Sequence, residues 1–293
     1  MQHSRNALPF GNRTNAFARR IGQVDALDGI AGPYSRWVER VTSNPKVKDL
    51  LSGTWLGHPV HPPLTDLPIG FWTSAFVLDL LGGKKSRGAA QRLVGLGVLS
   101  AIPAAATGAS DWSDTDHEDK RVGLVHALLN SAAVVTFASS WRARRRGHHA
   151  RGVAIGLVGA AFATVAAQLG GHLVDARGVG VAQTAFDPEP EEWTAVCQEI
   201  DVSEHPTRAP ALEGSVLVLR LDGAIVATAS TCPHRGAPLE EGKLEDGTIV
   251  CPWHGSCFRL HDGALLRGPS AVPLARYETR VVDGTIEVRV AKD

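Results

Sequence analysis

Two stretches of the chain, residues 122–141 and 152–174, contain no Asp, Glu, Lys or Arg. A run of roughly 20 such residues is long enough to cross a bilayer as a helix. Two weaker apolar runs, 67–81 and 93–110, precede them. A soluble four-helix bundle is the alternative, but it needs a polar outer face on every helix, and the two uncharged runs have none. The sequence therefore predicts four transmembrane helices at residues 55–176, with the lipid bilayer as partner.

The short connections between these runs predict an orientation. Basic residues follow the first run (Lys84, Lys85 and Arg87) and the third run (Arg142, Arg144, Arg145, Arg146 and Arg151). The connection between the second and third runs, 111–121, is mostly acidic. Short loops rich in Lys and Arg stay cytoplasmic, which places both chain ends outside a bacterial plasma membrane. The basic first fifty residues argue for the opposite orientation.

Residues 1–54 form a polar N-terminal lead without a long apolar run, so we expect no signal peptide. Gly32-Pro33 is predicted to break any helix in this lead. The pattern H-P-V-H-P that begins at His58 leads into the first apolar run. It resembles the start of a family of bacterial four-helix membrane proteins of unassigned function. The resemblance covers residues from about 55 to 175 and implies a topology, not an activity.

The histidines of the membrane part are candidates for a second site. His58, His61, His126 and His172 are predicted near one membrane face, and titratable groups in a span are functional candidates. Imidazole suits haem iron and other transition metals, so a haem or metal site is one hypothesis. The alternative is structural, with His126 bonding Asn130 and His172 bonding Gln168 one turn away.

A different pattern lies near the C-terminus. Cys232-Pro-His234 and Cys251-Pro-Trp-His254 each offer one thiolate and one imidazole, and sixteen residues separate His234 from Cys251. Two Cys and two His suit a [2Fe–2S] cluster in which imidazoles replace thiolates on one iron, which raises the reduction potential. They also suit tetrahedral zinc. Zinc spacing normally groups Cys with Cys and His with His, so the alternating order disfavours zinc.

The pattern C-x-H…C-P-W-H-G-S, with roughly the last hundred residues around it, resembles the Rieske iron–sulfur domain. The resemblance implies that Cys232 and Cys251 hold one iron of a [2Fe–2S] cluster, and that His234 and His254 hold the other. It also implies two supporting residues. Ser256 matches a serine whose hydroxyl bonds a cluster sulfide, and Pro269 lies in a loop that covers the cluster.

Three positions depart from the high-potential Rieske pattern. Ala237 and Trp253 stand where two cysteines would form a disulfide, and Phe258 stands where respiratory members place a tyrosine. The resemblance therefore implies the ferredoxin and oxygenase class, with a low to middling potential. Cys197 and Cys257 remain, and both a disulfide and two packed free thiols are open for them.

The composition changes after the last apolar run. Residues 177–191 read as an acidic, Pro-containing linker, and 192–293 as the Rieske-type domain. Short β-type runs occur at 193–199, 215–221, 224–229, 248–250, 258–260, 277–282 and 285–290. Asp-Gly pairs at 222–223, 246–247, 262–263 and 283–284 predict hairpin turns. The predicted fold is multidomain, an all-α four-helix transmembrane bundle followed by an all-β sandwich or partial barrel.

These features together predict a membrane-anchored Rieske protein that carries single electrons. A histidine-ligated centre, a quinone or another redox protein is the expected exchange partner. One alternative is the electron-donor component of an oxygenase system, and another is a zinc-stabilised, membrane-tethered binding module. The chain is not an oxygenase catalytic subunit on its own, since only 35 residues follow Phe258 and no catalytic residue is predicted. Basic and acidic residues balance, 30 against 30, and no nucleic-acid partner is expected.

Overall fold

The computed structural model describes residues 9–291, and the chain divides into two compact units. The helical unit comprises the chain up to Ser43 together with Val60–Val179. The β unit comprises Asn44–Pro59 together with the chain from Gly180 onward. The segment Asn44–Pro59 therefore belongs with the C-terminal part of the chain, whereas the sequence divides it between the N-terminal lead and the membrane domain.

Seven α-helices occur in the described residues. They are α1 (Pro9–Gly22), α2 (Asp28–Val41), α3 (Pro45–Ser52), α4 (His61–Leu81), α5 (Arg87–Ser113), α6 (His117–Arg145) and α7 (His149–Gly171). A π-helical turn, His172–Ala176, continues α7. The helices α4 to α7 are long and apolar enough to cross a membrane, and together with this π-helical turn they contain the four predicted apolar runs.

The four long helices expose much of their apolar surface. Leu80 and Leu81 are 82% and 84% exposed at the end of α4, and Val135 in α6 is 67% exposed. An exposed leucine is ordinary on a soluble protein, but long helices that lack a polar face suit contact with lipid hydrocarbon. This surface agrees with the predicted membrane domain.

Close contacts between α4 and α5, and between α6 and α7, depend on small residues. The indole of Trp72 in α4 lies against Gly97 of α5, where a Cβ would overlap the ring. Trp72 also stacks on Phe137 of α6, with ring centroids 3.9 Å apart. Glycines let helix backbones approach in this way in membrane bundles. Trp72, Phe137 and the neighbouring alanines form the core of the helical unit.

One contact occurs twice in the helical unit. The His61 Nδ1–H at the start of α4 donates to the Ala104 carbonyl of α5 at 2.9 Å. The His126 Nδ1–H of α6 donates to the Ala166 carbonyl of α7 at 2.8 Å. The first ring lies against Gly108, and the second lies against Gly170. The α4–α5 pair and the α6–α7 pair therefore share the same histidine, carbonyl and glycine arrangement.

The predicted helix break at Gly32-Pro33 is wrong, because Pro33 lies inside α2. Proline removes one backbone hydrogen bond, and its ring disfavours the helical conformation of the residue before it. Here that residue is Gly32, which has no Cβ to clash with the ring. One buried face of α2, formed by Ala31, Ser35 and Val38, offsets the loss.

Ten strands form two antiparallel sheets in the described part of the β unit. They are β1 (Thr194–Gln198), β2 (Thr207–Ala211), β3 (Gly214–Leu221), β4 (Ala224–Ala229), β5 (Lys243–Glu245), β6 (Thr248–Val250), β7 (Cys257–Arg259), β8 (Leu265–Arg267), β9 (Arg276–Val282) and β10 (Thr285–Val290). The sheet orders are β1-β10-β9-β4-β3-β2 and β5-β6-β7-β8. The predicted fold class, helices followed by a β domain, is confirmed.

The strands that the sequence did not show, β2, β5 and β8, all lie at sheet edges. Pro210 sits in β2, and proline lowers the apparent strand character, yet an edge strand tolerates its missing N–H. The other two strands are three residues long, which is too short to show alternation.

Strand β3 is buried on both faces and joins the two cores of the β unit. Val216 and Val218 point into one core, which contains Ile286 and Val288. Leu217 and Leu219 point into the other core, between the two sheets. This alternation gives the β unit two cores, and the second core forms the base of the candidate site.

Three of the predicted Asp-Gly turns have positive φ at both residues, the signature of type I′ hairpin turns. The φ values are 50° and 83° at Asp222-Gly223, 44° and 73° at Asp246-Gly247, and 48° and 76° at Asp283-Gly284. These pairs close the β3–β4, β5–β6 and β9–β10 hairpins, so the prediction for them is confirmed.

Candidate iron–sulfur site

The first cysteine–histidine loop lies between β4 and β5. The Cys232 N–H donates to the Ala237 carbonyl at 2.9 Å, and the Gly236 N–H donates to the Cys232 carbonyl at 2.9 Å. Gly236 has φ of 80°, a conformation that favours glycine. These two bonds close a tight loop, and Cys232 lies at its buried base while His234 lies at its half-buried tip.

The second loop connects β6 and β7 and repeats the same backbone geometry. The Cys251 N–H donates to the Ser256 carbonyl at 2.8 Å, and the Gly255 N–H donates to the Cys251 carbonyl at 3.1 Å. Gly255 has φ of 75°. His254 is half-buried, as its counterpart is in the first loop. Two matched loops thus present the same pair of ligand types.

Backbone N–H groups surround both sulfurs. The Cys232 sulfur accepts from the N–H groups of His234 and Arg235, and the Cys251 sulfur accepts from those of Trp253 and His254. Such bonds favour the thiolate, which is the form that binds metal.

The two cysteine side chains are also in contact with each other. A hydrogen bond from the Cys232 thiol lowers the pKa of Cys251 to about 6. The same bond and burial raise the pKa of Cys232. The contact thus favours the thiolate at Cys251, and binding of iron requires both sulfurs as thiolates.

The two imidazoles lie close together and nearly perpendicular. The ring centroids of His234 and His254 are 5.0 Å apart, at an interplanar angle of 88°. The Nδ1 atoms of both rings are buried. Burial, and then the positive charges of His254, Lys48 and Arg235, hold the pKa of His234 well below its usual range. These effects favour the neutral ring, which is the form that binds metal.

The donor set suits a two-iron cluster better than a single ion. Among residues 9–291 no three His, Cys, Asp or Glu side chains converge as they would around one metal ion. A mononuclear zinc site needs three or four protein ligands at one point. In a Rieske cluster, sulfides complete each iron, so two protein ligands per iron suffice. Two paired thiols and two paired imidazoles fit that requirement.

The predicted supporting residues lie beside the ligand loops. Ser256 is fully buried, and its Oγ accepts from the Ser270 N–H at 2.9 Å. Pro269 lies in the loop that also contains Gly268 and Ser270, and the Gly268–Pro269 peptide bond is cis. Phe258 is also fully buried, and it packs in the core below the site. A hydroxyl is thus present at Ser256, while position 258 provides hydrophobic packing.

Two further residues support the loops and were not predicted. The Gln183 N–H donates to the Pro233 carbonyl at 2.8 Å, and the Arg267 Nε–H donates to the Gly255 carbonyl at 3.1 Å. Both bonds end on backbone carbonyls. A backbone acceptor has no sequence signature, so no pattern could have indicated these contacts.

The structure places the membrane histidines in different surroundings. His58 belongs to the β unit, whereas His61, His126 and His172 belong to the helical unit. His126 Nε2 accepts from the Asn130 amide at 3.1 Å, as the structural alternative predicted. His172 Nδ1–H donates to Asn15 Oδ1 at 3.1 Å, so its predicted partner Gln168 is wrong.

All four cysteines lie in the described part of the chain, and none forms a disulfide. Cys197 is in β1 of the six-stranded sheet, and Cys257 is in β7 of the other sheet. Cys197 packs against the core around Val196. Of the two alternatives left open by the sequence, the packed free thiols are the one observed.

Comparison with known proteins identifies two families in the chain. The Rieske [2Fe-2S] domain matches residues 192–278. A predicted membrane protein domain, DUF2231, matches residues 57–183. The two matches correspond to the predicted Rieske-type domain and the predicted four-helix domain.

Three relatives are similar to the β domain. Ferredoxin CarAc of Metapseudomonas resinovorans is 34% identical over 98 residues, which cover 33% of this chain and 92% of the ferredoxin. Apoptosis-inducing factor 3 of Homo sapiens is 34% identical over 108 residues, 36% of this chain and 18% of that protein. The cytochrome b6-f complex iron-sulfur subunit of Chlorobaculum tepidum is 32% identical over 79 residues, 27% of this chain and 42% of the subunit.

The chain thus covers nearly all of one ferredoxin but only a small part of the human relative. The domain match, residues 192–278, contains both loops that carry the Cys and His pairs. The chain belongs to the Rieske [2Fe-2S] family through its C-terminal β domain, and it carries a DUF2231 domain before it.

Proposed function

We propose that this protein is a membrane-anchored Rieske electron carrier. The observation that carries the proposal is the pair of matched loops, each with one thiol and one imidazole, on a domain that covers nearly a whole ferredoxin. In it, Cys232 and Cys251 hold one iron of the cluster, and His234 and His254 hold the other. When bound, such a cluster accepts and donates one electron at a time.

Some residues around the ligands stabilise the cluster, and others form the surface that a partner can reach. The four N–H groups directed at the sulfurs stabilise negative charge there, and the core below excludes water. The imidazoles lie on the accessible side. Trp253 is 53% exposed, and its ring centroid is 6.5 Å from that of His254. A redox partner therefore docks over His234, His254 and Trp253.

The hydrogen bonds available to the cluster favour a low to middling potential. Donors to the sulfurs raise the potential of iron–sulfur centres. Ser256 provides one hydroxyl, while Phe258 provides none, and Ala237 and Trp253 exclude a disulfide between the loops. This combination is the one expected of the ferredoxin class.

The helices α4 to α7 anchor the protein in a bacterial plasma membrane. The connections α4–α5 and α6–α7 are the basic ones, so they lie in the cytoplasm, and the Rieske domain lies outside. Protease added to intact spheroplasts should then release the Rieske domain. Release only after the membrane is opened would reverse the orientation.

The electron partner is a redox protein or a quinone at the membrane face. Supply of electrons to an oxygenase system is the second candidate function, because the anthranilate 1,2-dioxygenase ferredoxin subunit of Burkholderia cepacia is 33% identical over 81% of its own length. Mixing the reduced protein with a quinone, or with an oxygenase component, and following reoxidation separates the two candidates.

A second redox group at the membrane histidines is a further part of the proposal. His61 and His126 each donate through Nδ1–H to a carbonyl, which leaves Nε2 as the atom that could bind iron. Asn130 occupies that atom of His126. Haem binding therefore requires the Asn130 amide to move, and an absorption spectrum without a haem band would exclude it.

Spectroscopy of the full chain in detergent tests the proposal. We expect two irons and two acid-labile sulfides per chain, and a Rieske-type EPR signal after reduction. A colourless protein that contains one zinc would instead establish the zinc-stabilised binding module.

A further inference from the structure

The segment Asn44–Pro59 is part of the β unit, although the four long helices separate it in sequence from the rest of that unit. It contains α3, which is capped at both ends. The Asn44 side chain accepts from the Lys46 N–H at 2.9 Å, and Gly53 ends the helix with φ of 83°. These caps fix the length of α3 and therefore the positions of its side chains.

Two side chains of this segment hold the loop that contains Pro269. The Asp49 carboxylate accepts from the Gly268 N–H at 2.7 Å. The Thr54 hydroxyl donates to the Ser270 carbonyl at 3.2 Å. A Cβ on Gly268 would overlap the Thr54 oxygen and lie 3.1 Å from Asp49 Oδ1, so the two surfaces fit without a gap.

The same loop contacts Ser256. The Ser270 N–H donates to the Ser256 Oγ at 2.9 Å, and Ser256 is fully buried. A hydroxyl that accepts this bond still has its own O–H to donate. A continuous path of hydrogen bonds and backbone therefore runs from Asp49 through the loop to Ser256, next to the ligand His254.

We propose that Asp49 is a positioning residue of the Rieske site, and that Asn44–Pro59 is a structural part of that site. Asp49 holds the 268–270 loop, and the loop holds the Ser256 hydroxyl, which would donate to a sulfide of the bound cluster. This inference rests on the proposed electron-carrier function. It adds that sequence outside the Rieske match sets the potential and the shielding of the cluster.

Asp49 can affect the reduction potential in two opposite ways, through its negative charge and through its hold on the 268–270 loop. Variants that separate these two effects test the inference. Loss of a negative charge near the site raises the potential. Loss of the Ser256 hydrogen bond lowers it, because a donor to sulfide stabilises the reduced cluster. Asp49→Asn removes the charge and keeps the acceptor, whereas Asp49→Ala removes both.

The test uses the full chain in detergent with Asp49→Ala, Asp49→Asn and, as a control, Glu204→Ala, an exposed carboxylate of the same domain. Protein-film voltammetry gives the potential, and hydrogen exchange with mass spectrometry follows peptides that span residues 265–272. We expect a lower potential for Asp49→Ala than for Asp49→Asn. We also expect exchange at Gly268 that is roughly five- to tenfold faster in Asp49→Ala only.

Equal potentials for the Ala and Asn variants, with unchanged exchange at 268–270, would overturn the inference and leave charge as the only effect. The exchange measurement does not depend on the cluster. A wild-type protein that binds no iron would therefore refute the proposed function, while the exchange data would still decide whether Asp49 holds the loop. Thr54→Val, which removes the second bond with little change in shape, should accelerate exchange at Ser270 in the same direction.

Discussion

Asp79 of α4 and Arg144 of α6 form a buried bidentate ion pair. The two terminal nitrogens of Arg144 donate to the two carboxylate oxygens at 2.9 and 2.6 Å. The side chains are 4% and 1% exposed, and His149 Nε2 lies 3.1 Å from the same carboxylate. Asp79, the charged residue in the first apolar run, therefore pairs with Arg144, which the sequence assigns to the basic connection after the third run.

Breaking this pair should destabilise the helical unit. Removing one partner of a buried ion pair leaves an uncompensated charge and costs ~3–5 kcal/mol. We expect Arg144→Ala and Asp79→Ala each to lower the midpoint of thermal unfolding in detergent, as measured by circular dichroism. Arg146→Ala is the control, since Arg146 is exposed. An equal midpoint for Arg144→Ala and Arg146→Ala would contradict the assignment.

The four ligands should be individually required for the cluster. Cys251→Ser and His254→Ala each remove one of two protein donors on an iron, so we expect loss of iron and sulfide from the purified chain. Cys257→Ser is the matched control, because Cys257 is a free thiol three residues beyond His254 and is not one of the four proposed ligands. Full iron content in the Cys251→Ser protein would show that the ligand set is wrong.

Leu239 should contribute both to the stability of the β unit and to retention of the cluster. It is fully buried between the ligand loops and packs in the core that contains Cys232 and Cys251. Truncation of a buried leucine to alanine costs ~2–5 kcal/mol, so Leu239→Ala should shift denaturant unfolding and accelerate loss of the cluster. Leu266→Ala removes a leucine that is 49% exposed and should have little effect. Similar shifts for both variants would refute the packing argument.

Tyr277 should make the β unit sensitive to high pH. Burial raises its pKa to about 12, with Glu189 and Asp187 adding to the effect. An acid whose folded pKa lies above its unfolded value of about 10 favours the folded state while it is neutral. Its stabilisation is complete below about pH 10 and is lost as the pH rises through 12, by at most ~3 kcal/mol.

Unfolding by denaturant at pH 9 to 12 measures this loss. Tyr277→Phe keeps the ring and removes the ionisable hydroxyl. Above pH 10 this variant should therefore be more stable than the wild type, and below pH 10 its stability should be equal to or slightly lower than that of the wild type. Parallel pH profiles for the two proteins would show that other groups, such as lysines, cause the alkaline loss.

The ligand loops could be recognised from sequence because their chemistry is local. Within each loop, Cys, His and Gly lie within a few residues, and backbone bonds such as Gly236 N–H to the Cys232 carbonyl close the loop without distant help. The type I′ turns were predictable for the same reason, since Asp-Gly specifies positive φ by itself. The long apolar helices were predictable from their apolar runs, two of which contain no charged residue.

The edge strands and Pro33 were not predictable, because their context offsets a poor local signal. Pro210 is acceptable in β2 only because that strand has a free edge, which the strand order decides. Pro33 is acceptable in α2 because Gly32 precedes it and one face of the helix is buried. Local propensity is a weak guide where packing can outweigh it.

The sequence by itself determined the candidate donor atoms, the positions of the apolar helices and the hairpin turns, because each depends on residues close together along the chain. The tertiary structure alone decided that Asp79 pairs with Arg144 and that Asp49 reaches the loop of Gly268, 219 positions away. Such contacts join surfaces that no spacing relates, and they form only when burial brings the two elements together.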